Sequence, residues 1–550
     1  MKMKKTLLLM LSVIVVMSML AACSSKNNNA GSGNTPPPAD TGSGTDNNPD
    51  TNKGEDGTVG GTGNTDPKTI TFSTISNYYT DGLKEAAVEY NKLHPETTVK
   101  IDVQSDNNAY ITSFQAKMSA GGDNAPDIVH TNLTGDKPGA NITKGWFVKL
   151  NDYVKQPNPY NEGTSIWDGV DENYHANMYS EAGDVALLPF DLVGTGFYYN
   201  KAIFEKAGIT DTPATWEDLL ADLQKIKDSD SKIIPLAMPF LHTADYEGWM
   251  RGAFVDWALR PLIADFLVQE GDGIATPQIV ENNKKIVYEA GKPMFDVGGV
   301  VSQERIMDYA MSGKYDLEGP AEQKYWTLLK DLSKFYEPGY STMGDSDLYK
   351  LFISGKAAVY WNGSWQVGQL VQDQQKLGDK GFEWGTFKFP NFSQPDPNFP
   401  DDPRGILAVG HQLSIVQKKD AEQVKRAEDF MQYLFSPKVA QKVYETTLAA
   451  GQFVQGPSLV KGVQLSDEIN GYLEGFLVSG NMNGEITRIS TGNPNNDVTA
   501  GTEFKALQLK FYQGDIDLAE FLKQKAAFVK RTNQKFIDDN KMDLDPKTNP

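Results

Sequence analysis

Three kinds of side chain are scarce in this sequence. It has one cysteine, Cys23, in 550 residues, so no disulfide bond can form within the chain. It has five histidines, and none of them forms a metal-binding motif with another. Lys and Arg number 52 against 72 Asp and Glu, which gives a formal net charge of -20. A chain this acidic, without a basic patch, is not expected to bind nucleic acid or to dock electrostatically on anionic lipid.

Motifs for catalysis are missing as well. There is no Gly-x-Ser-x-Gly elbow, Gly194-Thr-Gly196 lacks the third glycine of a dinucleotide loop, and Gly355-Lys356 lacks the rest of a phosphate loop. A glycosidase needs only two carboxylates, and no marked pair stands out. We therefore expect a protein that is not an enzyme and that has no cofactor and no metal site.

The N-terminus carries the features of a secretory signal. Three lysines precede an apolar run over 7–20, and Leu20-Ala-Ala-Cys23 resembles the lipobox of bacterial lipoproteins. That resemblance implies a signal peptide over 1–22 and acylation of Cys23, by palmitate among others. A plain signal peptide or a membrane-spanning helix is the alternative. The run is shorter than the roughly 20 residues of a span, and a plain cut would leave Leu20 or Met19 where a small residue is usual.

Residues 23–68 are predicted to be a disordered tether. They are rich in Gly, Asn, Asp, Thr, Ser and Pro and have almost no large apolar side chain, so burial cannot offset the entropy of ordering them. Beyond them, β-branched and aromatic segments over 69–75, 99–103 and 127–129 alternate with helical spacing over 81–93 and 110–120. This alternation predicts an α/β fold with a largely parallel sheet.

Five segments, in this order, resemble the family 1 extracellular solute-binding proteins of ABC importers, to which the maltodextrin-binding proteins are related. They are Phe72-Ser-Thr-Ile-Ser-Asn-Tyr-Tyr79, Tyr90-Asn-Lys-Leu-His-Pro95 with Val99, Ser119-Ala-Gly-Gly122 with Ala125-Pro-Asp127, Gly196-Phe-Tyr-Tyr-Asn-Lys201 with Phe204 to Glu217, and Phe352-Ile-Ser-Gly-Lys-Ala-Ala358 with Asn362-Gly-Ser-Trp365.

The resemblance implies a two-lobed periplasmic-binding-protein-like fold of type II that closes over a ligand held between its lobes. The N-terminal lobe would comprise 69–190 and 411–460, and the C-terminal lobe 191–410 and 461–550. The chain would cross between lobes near 189–195, 407–413 and 455–460.

A sugar site needs flat rings for stacking and polar groups for hydroxyls, and the loops after the predicted strands carry both. The candidate ligand-binding residues are Asn77, Tyr78, Tyr79, Thr131, Asn132, Asp191, His242, Trp249, Trp361, Asn362 and Trp365. Trp365 matches a ligand-stacking tryptophan of sugar-binding relatives. Tyr78 and Tyr79 alternate, so one of them should face the cleft. The alternative for Trp361 is a position in the core, and the alternative for Asp191 is capping of the segment that follows it.

The chain departs from the maltodextrin-binding relatives at two places. Val193 or Gly194 stands where they have an acidic hinge residue, and Thr131 or Asn132 stands where they have the first cleft aromatic. We therefore expect a carbohydrate other than maltodextrin, and an oligosaccharide rather than a single sugar.

We expect a monomer that is anchored in the cell membrane by lipid alone and faces outside the cytoplasm. It would deliver the sugar to the permease subunits of an ABC importer. The alternative is a surface lipoprotein of the same fold that binds peptide or acts as the ligand sensor of a membrane receptor.

Overall fold

The computed structural model describes residues 68–75, 78–136, 138–180, 183–241, 245–292, 299–477, 479–480, 484–493 and 498–548. They belong to one compact unit, Thr65–Pro550. None of the helices in these ranges combines the length and the apolar character that crossing a bilayer requires.

Strands and helices alternate along the chain. The strands are β1 (Lys68–Ile75), β2 (Thr97–Gln104), β3 (Ile128–His130), β4 (Leu188–Pro189), β5 (Leu192–Asn200), β6 (Ile234–Ala237), β7 (Ala357–Gly363), β8 (Trp384–Phe387), β9 (Gly405–Val409), β10 (Gln412–Ile415) and β11 (Ser479–Gly480). The helices are α1 (Thr80–Leu93), α2 (Asn107–Ser119), α3 (Pro138–Thr143), α4 (Ile166–Gly169), α5 (Lys201–Lys206), α6 (Trp216–Ser229), α7 (Glu247–Leu259), α8 (Ile263–Phe266), α9 (Pro277–Asn283), α10 (Gln303–Met311), α11 (Pro320–Ser333), α12 (Asp345–Ile353), α13 (Gln366–Leu377), α14 (Ala421–Leu434), α15 (Pro437–Ala449), α16 (Asp467–Leu473), α17 (Gly484–Thr491), α18 (Val498–Gln513) and α19 (Leu518–Asp539).

The first sheet has the strand order β2-β1-β3-β10-β4. β1 pairs in parallel with both β2 and β3, as expected for strands that are joined through helices, whereas β10 runs antiparallel to β3 and β4. Ile70 and Phe72 of β1 are buried and pack against Leu83 and Tyr90 of α1 in one core cluster. The predicted strand–helix alternation from residue 69 is therefore confirmed.

The second sheet has the strand order β11-β9-β5-β7-β6, with β8 also paired to β5. β6 and β7 are parallel, and β5 runs antiparallel to β7, β8 and β9. Its core is rich in aromatic rings, among them Phe197, Trp216, Phe254, Trp326 and Trp361, all of which are fully buried. Aromatic side chains thus supply much of the buried volume of this core.

The chain passes between the two sheets at short connections. β4 belongs to the first sheet and β5 to the second, so Phe190 and Asp191 make one passage. β9 belongs to the second sheet and β10 to the first, so Gly410 and His411 make another. Farther along, α15 contacts α1 beside the first sheet, whereas α16 contacts β8 of the second. The two sheets and their helices thus form two lobes.

Candidate ligand-binding site

Aromatic side chains gather where two strands of the second sheet end. β6 and β7 are parallel, so the chain leaves both at the same edge, towards α7 and α13 respectively. Tyr246 and Trp249 lie at the start of α7, and Trp365 immediately precedes α13. Loops beyond the carboxyl ends of strands are where α/β sheets bind ligands.

Tyr246, Trp249 and Trp365, together called the aromatic corner below, form two surfaces at a right angle. The rings of Tyr246 and Trp249 stack with their centroids 4.1 Å apart and an interplanar angle of 11°. The ring of Trp365 is perpendicular to that of Trp249, at 5.3 Å and 90°. It lies against Gly363, where an added Cβ would stand 1.8 Å from the ring. All three rings are half-buried, so each keeps accessible surface.

Tyr78, which follows β1 of the first sheet, completes the site from the other lobe. Its ring contacts Phe453 edge-on, with the centroids 5.7 Å apart. Burial, followed by the nearby carboxylates of Asp191 and Asp345, raises the pKa of Tyr78 to about 12. The Tyr78 hydroxyl therefore stays uncharged and can act as a hydrogen-bond donor and acceptor.

Asp345 is the carboxylate of the site. It is the first residue of α12, and its Oδ1 accepts hydrogen bonds from the Tyr360 hydroxyl at 2.6 Å and from the Asn362 amide at 3.0 Å. Its Oδ2 has only a long bond from the Tyr246 hydroxyl, at 3.4 Å, and therefore has capacity for a further donor. Burial raises the pKa of Asp345 above its usual value, and the three hydrogen bonds oppose that rise.

Trp361 and Asn362 are buried and support the site from beneath. The indole of Trp361 packs against Phe197 in the core and donates to the carbonyl oxygen of Tyr246 at 2.7 Å. Trp361 thus occupies the core position that was its alternative, and it fixes the backbone of the aromatic corner. Asn362 is fully buried, and its amide group orients Asp345.

Four charged residues lie behind the aromatic corner: the buried Glu247, Arg251 and Lys505 and the half-buried Asp245. Arg251 donates to Asp245 at 2.5 Å and to Glu247 at 2.9 Å, and Lys505 donates to Asp245 at 2.7 Å. Burial lowers the pKa of Lys505 to about 8. The two cations are thus held by carboxylates rather than presented to the cleft, and the network fixes the start of α7.

Three other predicted residues lie deeper. Tyr79 and Asp191 are fully buried, and the Tyr79 hydroxyl donates to Asp191 Oδ2 at 2.5 Å. Of the two adjacent tyrosines, Tyr78 keeps accessible surface. Thr131 is buried and donates to the side chain of Gln412 at 2.9 Å. Asp191 does not cap a following helix, because β5 follows it.

Several predicted positions lie outside the described residues. These are Cys23, Asn77, His242 and the side chain of Asn132. Within the described ranges, no group of three or more His, Cys, Asp or Glu side chains is arranged to hold a metal ion.

Sequence reasoning missed Tyr246, Asp345 and Phe453. Tyr246 could have been found, because it precedes Trp249 by three residues and such a spacing brings two side chains together on a helix. Asp345 stands at the start of an amphipathic helix, where an acidic residue is ordinarily explained by the helix dipole alone. Phe453 gave no signal, since its contact with Tyr78 joins positions far apart in the chain.

Comparison with known proteins identifies the family. The profile of the family described as bacterial extracellular solute-binding protein matches residues 76–441. The chain belongs to this family. Its members are described as binding proteins rather than as enzymes.

Among curated relatives, the multiple sugar-binding protein of Streptococcus mutans is 25% identical over 295 residues, covering 53% of this chain and 56% of the relative. The sn-glycerol-3-phosphate-binding periplasmic protein of Yersinia pestis is 23% identical over 270 residues, covering 49% of each chain. This chain thus spans about half the length of the curated relatives it matches.

Among solved structures, the cyclic alpha-maltosyl-1,6-maltose binding protein from Arthrobacter globiformis aligns with a TM-score of 0.54 at 16% identity, covering 85% of this chain and 100% of that one. This likeness confirms the predicted two-lobed type II solute-binding fold.

Proposed function

We propose that this protein captures an uncharged carbohydrate, an oligosaccharide, between its lobes and delivers it to the permease subunits of an ABC importer. One observation carries the proposal: an aromatic corner of Tyr246, Trp249 and Trp365 stands beside the carboxylate of Asp345 and near Tyr78 of the other lobe. Two perpendicular ring surfaces suit the apolar faces of pyranose rings, and a carboxylate with spare acceptor capacity suits sugar hydroxyls.

The charge of this site favours sugar over a phosphate ester, the ligand in the name of the Yersinia relative. Phosphate sites use Arg or Lys as donors. Here the carboxyl groups of Asp191 and Asp345 raise the pKa of Tyr78, and the cations Arg251 and Lys505 are bonded to Asp245. A phosphate beside Asp345 would meet like charge.

The remaining assignments belong to the same proposal. The lobes are 69–190 with 411–460 and 191–410 with 461–550, so that ligand closes a hinge between them. The chain is a monomer that binds and does not chemically change its ligand. Acylated Cys23, after removal of 1–22, holds it on the outer face of the cell membrane, and 23–68 give it reach. The names of the sugar-binding relatives support a carbohydrate as the ligand.

Thermal unfolding in the presence of candidate ligands tests the proposal. A ligand that binds only the folded state stabilises it by about 2.7 kcal/mol at one hundred times its dissociation constant. The panel contains raffinose, maltose, xylo-oligosaccharides, chitin oligosaccharides and sn-glycerol 3-phosphate. We expect at least one saccharide to raise the unfolding temperature and sn-glycerol 3-phosphate to leave it unchanged.

Two tryptophan variants then test the location of the site. Trp365→Ala should weaken binding of the saccharide identified in the panel at least tenfold, because it removes one wall of the aromatic corner. Trp146→Ala is the matched control, since Trp146 is also half-buried but packs near Phe114 in the first lobe. Equal affinity of Trp365→Ala and wild type would refute the site. Stabilisation by peptides, with none by saccharides, would instead support the alternative of a peptide-binding surface lipoprotein of the same fold.

A further inference from the structure

The carboxyl group of Asp191 joins the connections between the two lobes. Asp191 lies in the passage from β4 to β5, and its Oδ1 accepts the backbone N–H of His411, in the passage from β9 to β10, at 2.6 Å. Its Oδ2 accepts the hydroxyl of Tyr79 at 2.5 Å. The backbone N–H of Gln455 donates to that same hydroxyl oxygen at 3.3 Å. One side chain thus links four segments that meet at the hinge.

This hinge carboxyl group is closed off from water. Asp191 and Tyr79 have no exposed surface. A Cβ added to Gly410 would stand 2.1 Å from Asp191 Oδ1, so glycine is needed for the strand to approach this closely. The ring of Tyr79 packs edge-on against Phe190 and Tyr444, with centroids 5.4 Å and 5.2 Å away. Any opening that separates these segments would hydrate the carboxyl group.

We propose that Asp191 is a positioning residue of the hinge whose protonation favours the packed arrangement and whose ionisation favours a hydrated, opened hinge. The proposal concerns the hinge itself, and it rests on the proposed function only for its consequence for ligand affinity. Asp191 acts on binding through Tyr79 and the hinge strands, and not as a ligand contact.

The direction follows from proton linkage. Burial raises the pKa of Asp191 to about 7, although hydrogen bonds from Tyr79, His411 and Gln455 oppose the rise. A hydrated carboxyl group ionises near its usual pKa of about 4. The packed arrangement therefore binds the proton more tightly, and between pH 4 and 7 acidification shifts the equilibrium towards it. Each unit of difference in pKa between the two arrangements changes their ratio by up to about tenfold.

The other titratable groups around Asp191 keep their charge state between pH 6 and 8. Burial raises the pKa values of Tyr79 and Tyr444 well above 10 and that of Tyr78 to about 12, so all three phenols stay neutral. Burial, with a contribution from His130, lowers the pKa of His411 well below its usual value, so this imidazole also stays neutral. Asp191 is the group among them that titrates in this range.

Hydrogen exchange of the full chain without ligand tests the proposal. The protection factors of peptides covering 408–412 and 453–457, corrected for intrinsic exchange rates, should fall about tenfold between pH 6 and pH 8 in the wild type, because about one pH unit of this span lies below the pKa of about 7. Asp191→Asn should abolish this dependence. Tyr79→Phe should move the midpoint of this pH dependence to higher pH, because the variant removes a hydrogen bond that stabilises the ionised form of Asp191.

Glu337→Gln is the matched control. Glu337 is also buried, and burial raises its pKa to about 8, but it accepts from the backbone of Met238 in the second lobe. This variant should keep the pH response of the hinge peptides. A flat wild-type profile, or a slope that persists in Asp191→Asn, would overturn the proposal. If Asp191→Asn does not fold, Tyr79→Phe tests the proposal in its place, and an unchanged midpoint in that variant would overturn it. Because no ligand is present, failure here is separate from failure of the saccharide panel.

Discussion

Arg251→Met tests whether the buried charges behind the aromatic corner are needed for stability. Arg251 is bonded to Asp245 and Glu247, and its side chain is 3% exposed. Methionine keeps much of the apolar stem but removes the positive charge, which leaves Asp245 paired with Lys505 and the buried carboxylate of Glu247 without its ion pair to Arg251. Breaking a buried pair by removing one partner costs about 3–5 kcal/mol. Glu247 keeps bonds from Tyr336 and Tyr512, so we expect a loss near about 3 kcal/mol, the lower end of that range.

Urea unfolding of the full chain measures this loss, and Arg531→Met is the matched control. Arg531 donates to both carboxylate oxygens of Glu503, at 2.6 and 2.7 Å, but the Arg531 side chain is 57% exposed. Loss of this ion pair should therefore cost about 0–1 kcal/mol. The free energy of unfolding lost in Arg251→Met should be smaller at pH 5 than at neutral pH, by up to about 1.4 kcal/mol per pH unit. The reason is that the carboxylate left without its partner can take up a proton. Equal losses for the two variants would refute the reasoning.

Three further predictions concern single groups. Glu337→Gln should raise the stability of the protein to urea at pH 9 and flatten the pH dependence of that stability. The pKa of Glu337 is raised to about 8, so the stabilising contribution of this carboxyl is present below pH 4.5 and is lost as the pH rises through 8. An unchanged pH profile would contradict this. Asp345→Asn should weaken saccharide binding about tenfold in calorimetric titrations, since a hydrogen bond to a charged group contributes about 1.5–3 kcal/mol; unchanged affinity would exclude Asp345 from the site. Gly363→Ala should weaken binding and change the fluorescence of Trp365, because the new methyl group would overlap its ring, whereas Gly471→Ala, which has open space around it, should leave both unchanged.

The first sheet could be predicted because its local patterns agree with its tertiary environment. The segment 69–75 is β-branched and alternates, and it forms β1 within one residue of the expected start. The helix Ala421–Leu434 has clear boundary signals in the sequence, since Asp420 caps its start and Ser436-Pro437 follows its end. The apolar segment 185–189 is buried throughout, but only Leu188–Pro189 forms a strand, because buried apolar residues alone do not specify strand pairing.

The site was harder to predict than the fold. Trp365 and Trp249 stand at or just before helix starts that follow strands, and that position suggested both, with the family resemblance adding support for Trp365. Trp361 lies within β7, whereas Trp365 lies beyond the end of β7, so the role of Trp361 depends on which face of the strand it occupies. Periodicity could not settle that face, since all of Ala357–Gly363 is buried on both sides. Trp361 consequently packs in the core while Trp365 remains accessible.

The placement of charge explains why the two acidic residues near Tyr78 have different roles. Asp191 has its oxygens occupied by donors from Tyr79 and His411, and Gly410 leaves no space beside it. Asp345 has one oxygen with spare capacity next to an aromatic surface. A carboxylate that the protein has already satisfied gains little from a ligand hydroxyl, whereas one with an open lone pair gains a charge-assisted hydrogen bond. Asp345 should therefore determine which ligand binds, and Asp191 should determine how readily the lobes close on it.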